Sequence, residues 1–199
     1  MDNTTLIGLA IVGGTLIYLI SIYNHLVTLK NRFKNAFAQI DVQLQRRHDL
    51  IPNLVESAKS FMQFEQETLQ RVMEARAKAV QATSQAAKSP EKGSLVKELG
   101  VAESVLNGAL AHFYAVSENY PELKSNEPLM QLMEELSSTE NKVAFARQAF
   151  NDSVMTYHTY REQFPGNLIA GFFAFTPTQL FEVDSTDIKK PVKVTLQRQ

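Results

Sequence analysis

An all-α fold, an antiparallel up-and-down helical bundle set behind a transmembrane helix, is what this sequence predicts, on three observations. Apolar residues recur in alternating steps of four and three along most of the chain, the spacing that lines one face of a helix. Glycine and proline are sparse, 8 and 7 in 199 residues, which suits long helices better than many-turned sheets. No charged residue stands between Asp2 and Lys30, so the chain opens on a stretch that water does not favour.

That opening stretch, Thr4 to Tyr23, reads TTLIGLAIVGGTLIYLISIY. Roughly twenty residues at about 1.5 Å each cross the roughly 30 Å of bilayer hydrocarbon. Asp2 rather than lysine precedes the run, and no small-x-small cleavage pattern follows it, which argues for a retained anchor over residues 1–29 and against a cleaved signal peptide. Lys30, Arg32 and Lys34 come directly after it. By the positive-inside rule, the N-terminus is expected outside and the bundle in the cytoplasm, on a single-pass inner-membrane protein. The three cations also form a basic flank suited to anionic lipid headgroups.

Residues 30–183 are expected to form the bundle. Phe37, Ile40, Leu44, Ile51, Leu54, Ala58 and Phe61 form the first seam. It thins into small residues at Ala75, Ala77, Ala79, Ala82, Ala86 and Ala87. Whether Asn24 to Ala87 is one kinked helix or two helices reversing near Pro52 stays open, which makes three long helices or four. Unbroken spacing favours one helix; coverage of Phe33 to Leu44 favours two, or self-association into a homo-oligomer. A second helix is expected to start at Ser89, Pro90 and Glu91, with a seam through Leu95, Leu99, Ala102, Leu106, Ala109, Phe113, Val116 and Tyr120. After an acidic connector, a third helix runs from about Leu129 to Gln163 with Leu136, Val143, Phe150, Val154, Tyr157 and Phe164 inward. The aromatic segment from Phe164 to Glu182 is expected to close the bundle, and residues 184–199 read as a flexible polar tail whose PVKVTL could add as a strand to a partner's edge.

Polar residues interrupt two of these seams. Arg47 or His48 falls where the first seam points inward, and Pro52 leaves the His48 carbonyl without its helical donor, so the helix should kink or restart with Asp49 as a cap. Glu140 and Arg147 interrupt the third seam, with Asp152 close by. A buried arginine left alone is costly, so Arg47 is expected to meet Glu140, Asp152 or another carboxylate across the bundle, in a structural network of Arg47, His48, Asp49, Glu140, Arg147 and Asp152 that sets register.

Several functions find no support in the residues. A net charge of −1 gathers no nucleic acid. The absence of cysteine removes disulfides and thiolate chemistry. The four histidines are not spaced as metal pairs, no glycine-rich phosphate loop is present, and no serine sits on a nucleophile elbow, so no catalytic residue, metal or cofactor is assigned.

Four blocks, YNHLVTLKNRFKNAFAQIDVQLQRRHDLIPNLVE, SENYPELKSNE, ENKVAFARQAFND and FPGNLIAGFFAF with its following LFE, resemble in order the LemA family of bacterial membrane proteins. Phe150 stands where many members carry tyrosine, and Phe33 and Phe37 where valine and tryptophan are common. The resemblance implies one amino-terminal anchor and an antiparallel bundle on the cytoplasmic side, a link to membrane quality-control proteases, and no enzyme activity. The leading expectation is a non-enzymatic membrane scaffold or adaptor for other membrane proteins. A hydrolase or metal-dependent enzyme built on His48, and a lipid-surface organiser working through the basic flank, are the alternatives.

Overall fold

The computed structural model describes residues 2–183; the expected tail, 184–199, lies outside the described residues. Four long helices make the bundle: α1 Asn3–Lys59, α2 Gln66–Lys88, α3 Gly93–Ser117 and, after the four-residue α4 Pro121–Lys124, α5 Glu127–Glu162. A short α6, Gly166–Phe172, follows. The connections reverse the chain each time, so neighbours run antiparallel, with α1 packed on α5 and α2, and α2 on α3. A helix with one apolar stripe finds its partner this way.

The first reversal is not at Pro52. Helix α1 continues through that proline for another seven residues, and the chain turns between Ser60 and Glu65. The bundle is therefore four-helical, broken later than the sequence suggests. Pro52 is tolerated because the carbonyl it orphans is taken from outside: Arg76 of α2 donates from Nε to the His48 carbonyl at 2.8 Å. Asp49 consequently caps nothing. Its carboxylate is exposed and stands 4.0 Å from the Arg76 guanidinium.

Two features of α3 also differ. Helix α3 starts at Gly93 rather than Ser89, since Ser89 to Lys92 form a turn in which the Lys92 N–H donates to the Ser89 carbonyl. Its buried face is also rotated: Val96, Gly100, Glu103, Leu110 and Ser117 point inward with Leu99, Leu106 and Phe113, while Leu95, Ala102, Ala109 and Val116 flank the core half-buried. The length of α5 resolves the question of what covers α1. Phe150 and Tyr157 pack on Phe33 at ring separations of 6.4 and 5.2 Å, and Phe150 packs on Phe37 at 5.5 Å.

Burial begins on α1 at Ile22, and Ile22, Leu26 and Leu29 belong to the bundle core. The preceding nineteen residues, about 28 Å of helix, carry exposed aliphatics such as Ile7, Ile11, Leu16 and Ile20. Among the described residues α1 is the one helix long and apolar enough to cross a membrane, and its most apolar window is only 6% buried.

Beyond α6 the chain returns as an extended strap, residues 175–183, along α5. The Asn151 side-chain amide brackets Phe181, accepting from its N–H at 2.8 Å and donating to its carbonyl at 3.3 Å. Tyr157 donates to the Thr176 carbonyl at 3.0 Å, Arg161 to that of Phe175 at 2.8 Å, and Thr178 to that of Pro90 at 3.0 Å. Gly100 allows the strap to close, since a Cβ there would lie 2.2 Å from the Glu182 carbonyl oxygen. Phe175 and Phe181 are buried as expected of a closing segment, but Phe164, Phe172 and Phe173 are not.

Candidate functional site: a buried polar layer and its flanking cleft

The apolar interior falls into two clusters. One runs from Ile22 to Leu44 on α1 with Leu99, Val143 and Phe150; the other runs from Ile51 to Met62 with Ala79, Leu106 and Leu136. Between them each long helix contributes one turn of polar residues: Arg47 and His48 from α1, Thr83 from α2, Glu103 from α3, and Thr139 with Glu140 from α5. All but Glu140 are buried.

Arg47, 2% exposed, and Glu103, 1% exposed, form the centre. The guanidinium donates from Nη1 to Glu103 Oε2 at 2.8 Å and from Nη2 to Glu140 Oε1 at 2.8 Å, with Asn107 Oδ1 as a further acceptor on Nη2. Glu103 Oε1 accepts from His48 Nε2 at 2.8 Å. A carboxylate only accepts, so this contact places the proton on Nε2 of the ring. Both oxygens of the buried carboxylate and two arms of the guanidinium are engaged, which a desolvated ion pair requires. Glu140 is half exposed, with a side-chain accessibility of 50%, and connects the layer to solvent.

The other expected members lie apart. Arg147 borders a small cleft with Arg47, Glu103, Asn107 and Glu140, half-buried and unpaired among the described residues. Asp152 is exposed on α5, outside the layer. The sequence pattern does not point to Glu103, Asn107 or Arg76. Glu103 and Asn107 are four apart on α3, and choosing that helix's buried face one position off hides both.

On its α1–α2 side the layer opens into a cleft of about 470 Å³ lined by Asp41, Gln45, His48, Asp49 and Arg76. Burial pushes the Asp41 carboxyl above its ordinary value, against an opposing pull from His48. A carboxyl so placed takes up a proton more readily than a solvated one.

The basic flank is partly committed. Lys34 pairs with Glu91 in the α2–α3 turn at 3.1 Å, and the Lys30 ammonium lies 5.9 Å from the centre of the Phe175 ring. Arg32 is exposed. At the far end of α1 a groove lined by Pro52, Val55, Met62, Leu69 and Met73 leads to Phe64, which is 94% exposed.

A family model described as the LemA family matches residues 36–196. Magnetosome proteins MamQ 1 and MamQ 2 of Paramagnetospirillum magneticum are each 25% identical to the chain over 175 residues, covering 80% of it and 64% of themselves. Magnetosome protein MamQ of Magnetospirillum gryphiswaldense is 25% identical over 174 residues with the same coverage. The chain thus spans about 64% of the length of these curated relatives.

Proposed function

The chain belongs to the LemA family, and from that premise we propose that this membrane-associated protein is a non-enzymatic scaffold that holds a partner-binding tip away from the bilayer. Residues 3–21 cross the inner membrane once, the N-terminus lies outside, and the bundle stands in the cytoplasm, as the cations after the apolar run favour. The observation that carries the reading is the groove beside Phe64. From Ile22 to Lys59, α1 extends about 57 Å at 1.5 Å per residue, and the groove sits at its far end. The half-buried Met73 lines it over a fully buried Met62, and a methionine so placed adapts to partner side chains. The partner class is another membrane protein, with a quality-control protease the one the family resemblance suggests; a second copy of the chain would fit the same role.

A photo-crosslinking side chain placed at Phe64 or Met73 in native membranes is expected to capture one discrete membrane protein. The same group at Val101, exposed on the side of α3, is not. Equal capture from all three positions, or none from the tip, overturns the scaffold.

The cleft beside His48 favours one second reading, a hydrolase with Asp41 and His48 as proton carriers. His48→Gln retains a donor for Glu103 yet cannot shuttle a proton. If His48→Gln reproduces the effect of deleting the protein in cells while stability and tip crosslinks stay intact, chemistry is selected over scaffolding.

A further inference from the structure

We infer that α6 is a second membrane contact, with its outer face lying in the interfacial layer of the bilayer that α1 crosses. The inference rests on the reading of residues 3–21 as lipid-embedded.

Helix α6 is uncharged and, apart from the exposed Asn167, apolar. Gly166 and Ala170 turn into the bundle, and a Cβ on Gly166 would meet the Tyr160 carbonyl at 2.5 Å, so that face is closely packed. Leu168 and Phe172, also four apart and therefore on a common face, are 62% and 83% exposed, with Phe164 at 80% and Phe173 at 52% beside them. No charged residue occurs from Phe164 to Phe181. A soluble surface seldom gathers this much bare aromatic and aliphatic area without something to cover it.

Position says what covers it. The Tyr23 ring packs on Phe173 at 4.8 Å and on Phe175 at 5.6 Å. Tyr23 stands just after the exposed apolar stretch, at the level where α1 leaves the hydrocarbon and where aromatic side chains partition favourably. The patch is therefore continuous with the lipid-facing surface of α1. Lys30 lies seven residues, about 10 Å, further along α1, at headgroup height above a patch sunk a few ångströms into the interface. Aromatic residues at the end of the apolar stretch with a cation beyond them match the layering of a membrane interface. A single spanning helix can swivel and tilt; a second contact beside it fixes which side of the bundle faces the bilayer.

The chain has no cysteine, so Leu168→Cys and Phe172→Cys, both exposed and safe for folding, each carry one environment-sensitive fluorophore in the full-length protein. Leu16→Cys reports the anchor and Phe145→Cys, on an exposed part of α5, reports solvent. In phosphatidylcholine vesicles, the labels at 168 and 172 should shift to the blue, lose emission to nitroxide-bearing lipid and resist aqueous iodide. The label at 145 should do the reverse. Quenching of 168 and 172 by iodide while 16 remains in lipid overturns the interfacial contact and leaves the anchor standing. Protection from both quenchers places protein rather than lipid on the patch and also overturns it. If 16 itself is open to iodide, the anchor reading fails and this inference falls with it.

Discussion

Arg47 shows how much one residue can decide. Its charge is out of water, and its partners come from two other helices, so the layer tolerates only matched arrangements. Arg47→Ala is expected to destabilise the bundle by about 3–5 kcal/mol, because Glu103 then stays buried against His48 alone. Replacing Arg47, His48 and Glu103 together by Met, Leu and Leu should recover most of that loss; urea denaturation in detergent, followed by circular dichroism, measures both. The sequence makes Arg47 visible because the α1 seam has a single apolar stripe, and an arginine on it cannot point elsewhere. Glu103 is hidden because α3 carries two adjacent stripes, one through Leu95, Ala102 and Ala109, the other through Val96, Leu110 and Ser117. Period alone does not choose between them; an acid positioned to meet Arg47 does. Asp41 titrates in the opposite sense to a salt-bridged acid. Its raised value in the folded state means that the native protein holds the proton more tightly than the unfolded chain, so ionisation opposes folding above both values. Asp41→Asn should therefore stabilise the protein at neutral pH, and the gain should fade as acid protonates the carboxyl in both states. A gain that persists or grows in acid would contradict the buried-carboxyl account.

At the scale of elements, Pro52 is the instructive position. A proline within a helix removes a hydrogen bond and reads as a break, yet α1 passes through it because α2 supplies the missing donor. That compensation is tertiary, twenty-eight residues distant along the chain, and local spacing carries no trace of it. Arg76→Met keeps the alkyl stem and removes the donor. It is expected to cost about 1 kcal/mol, the low end for an unpaired backbone carbonyl, since water can reach His48 from the cleft. Pro52→Ala restores an N–H to that turn, so the two substitutions should be non-additive, with Arg76→Met nearly silent in the Pro52→Ala background. Additive losses would show that Arg76 acts through Asp49 instead. The strap belongs to the same lesson. Its residues lack helical or strand period because they are held one at a time by Asn151, Tyr157, Arg161 and Pro90, and the sequence shows only that several aromatic residues there must be covered.

For the whole molecule, the decisive boundary is where the exposed apolar stretch of α1 becomes bundle. Charge and hydropathy set it after residue 29, since no charge appears before Lys30, but packing sets it at Ile22. Both criteria see an apolar helix, and hydropathy does not distinguish an outward-facing leucine such as Leu16 from a core leucine such as Leu26. Removing residues 1–21 takes away no buried side chain among the described residues, so the remaining bundle should keep its denaturation midpoint while losing the exposed apolar stretch of α1. Removing residues 1–29 strips Ile22, Leu26 and Leu29 from the core. At about 1.5–3 kcal/mol for each fully buried side chain of this size, the loss rivals the entire stability of an ordinary domain. The shorter protein should then unfold or precipitate, with Phe175 stripped of its Tyr23 contact. Thermal denaturation of the two truncated proteins in the same detergent separates the alternatives: equal midpoints would move the bundle's edge back to the charge boundary, whereas a collapse confined to the second places the first core contact at Ile22, where the exposed apolar stretch ends.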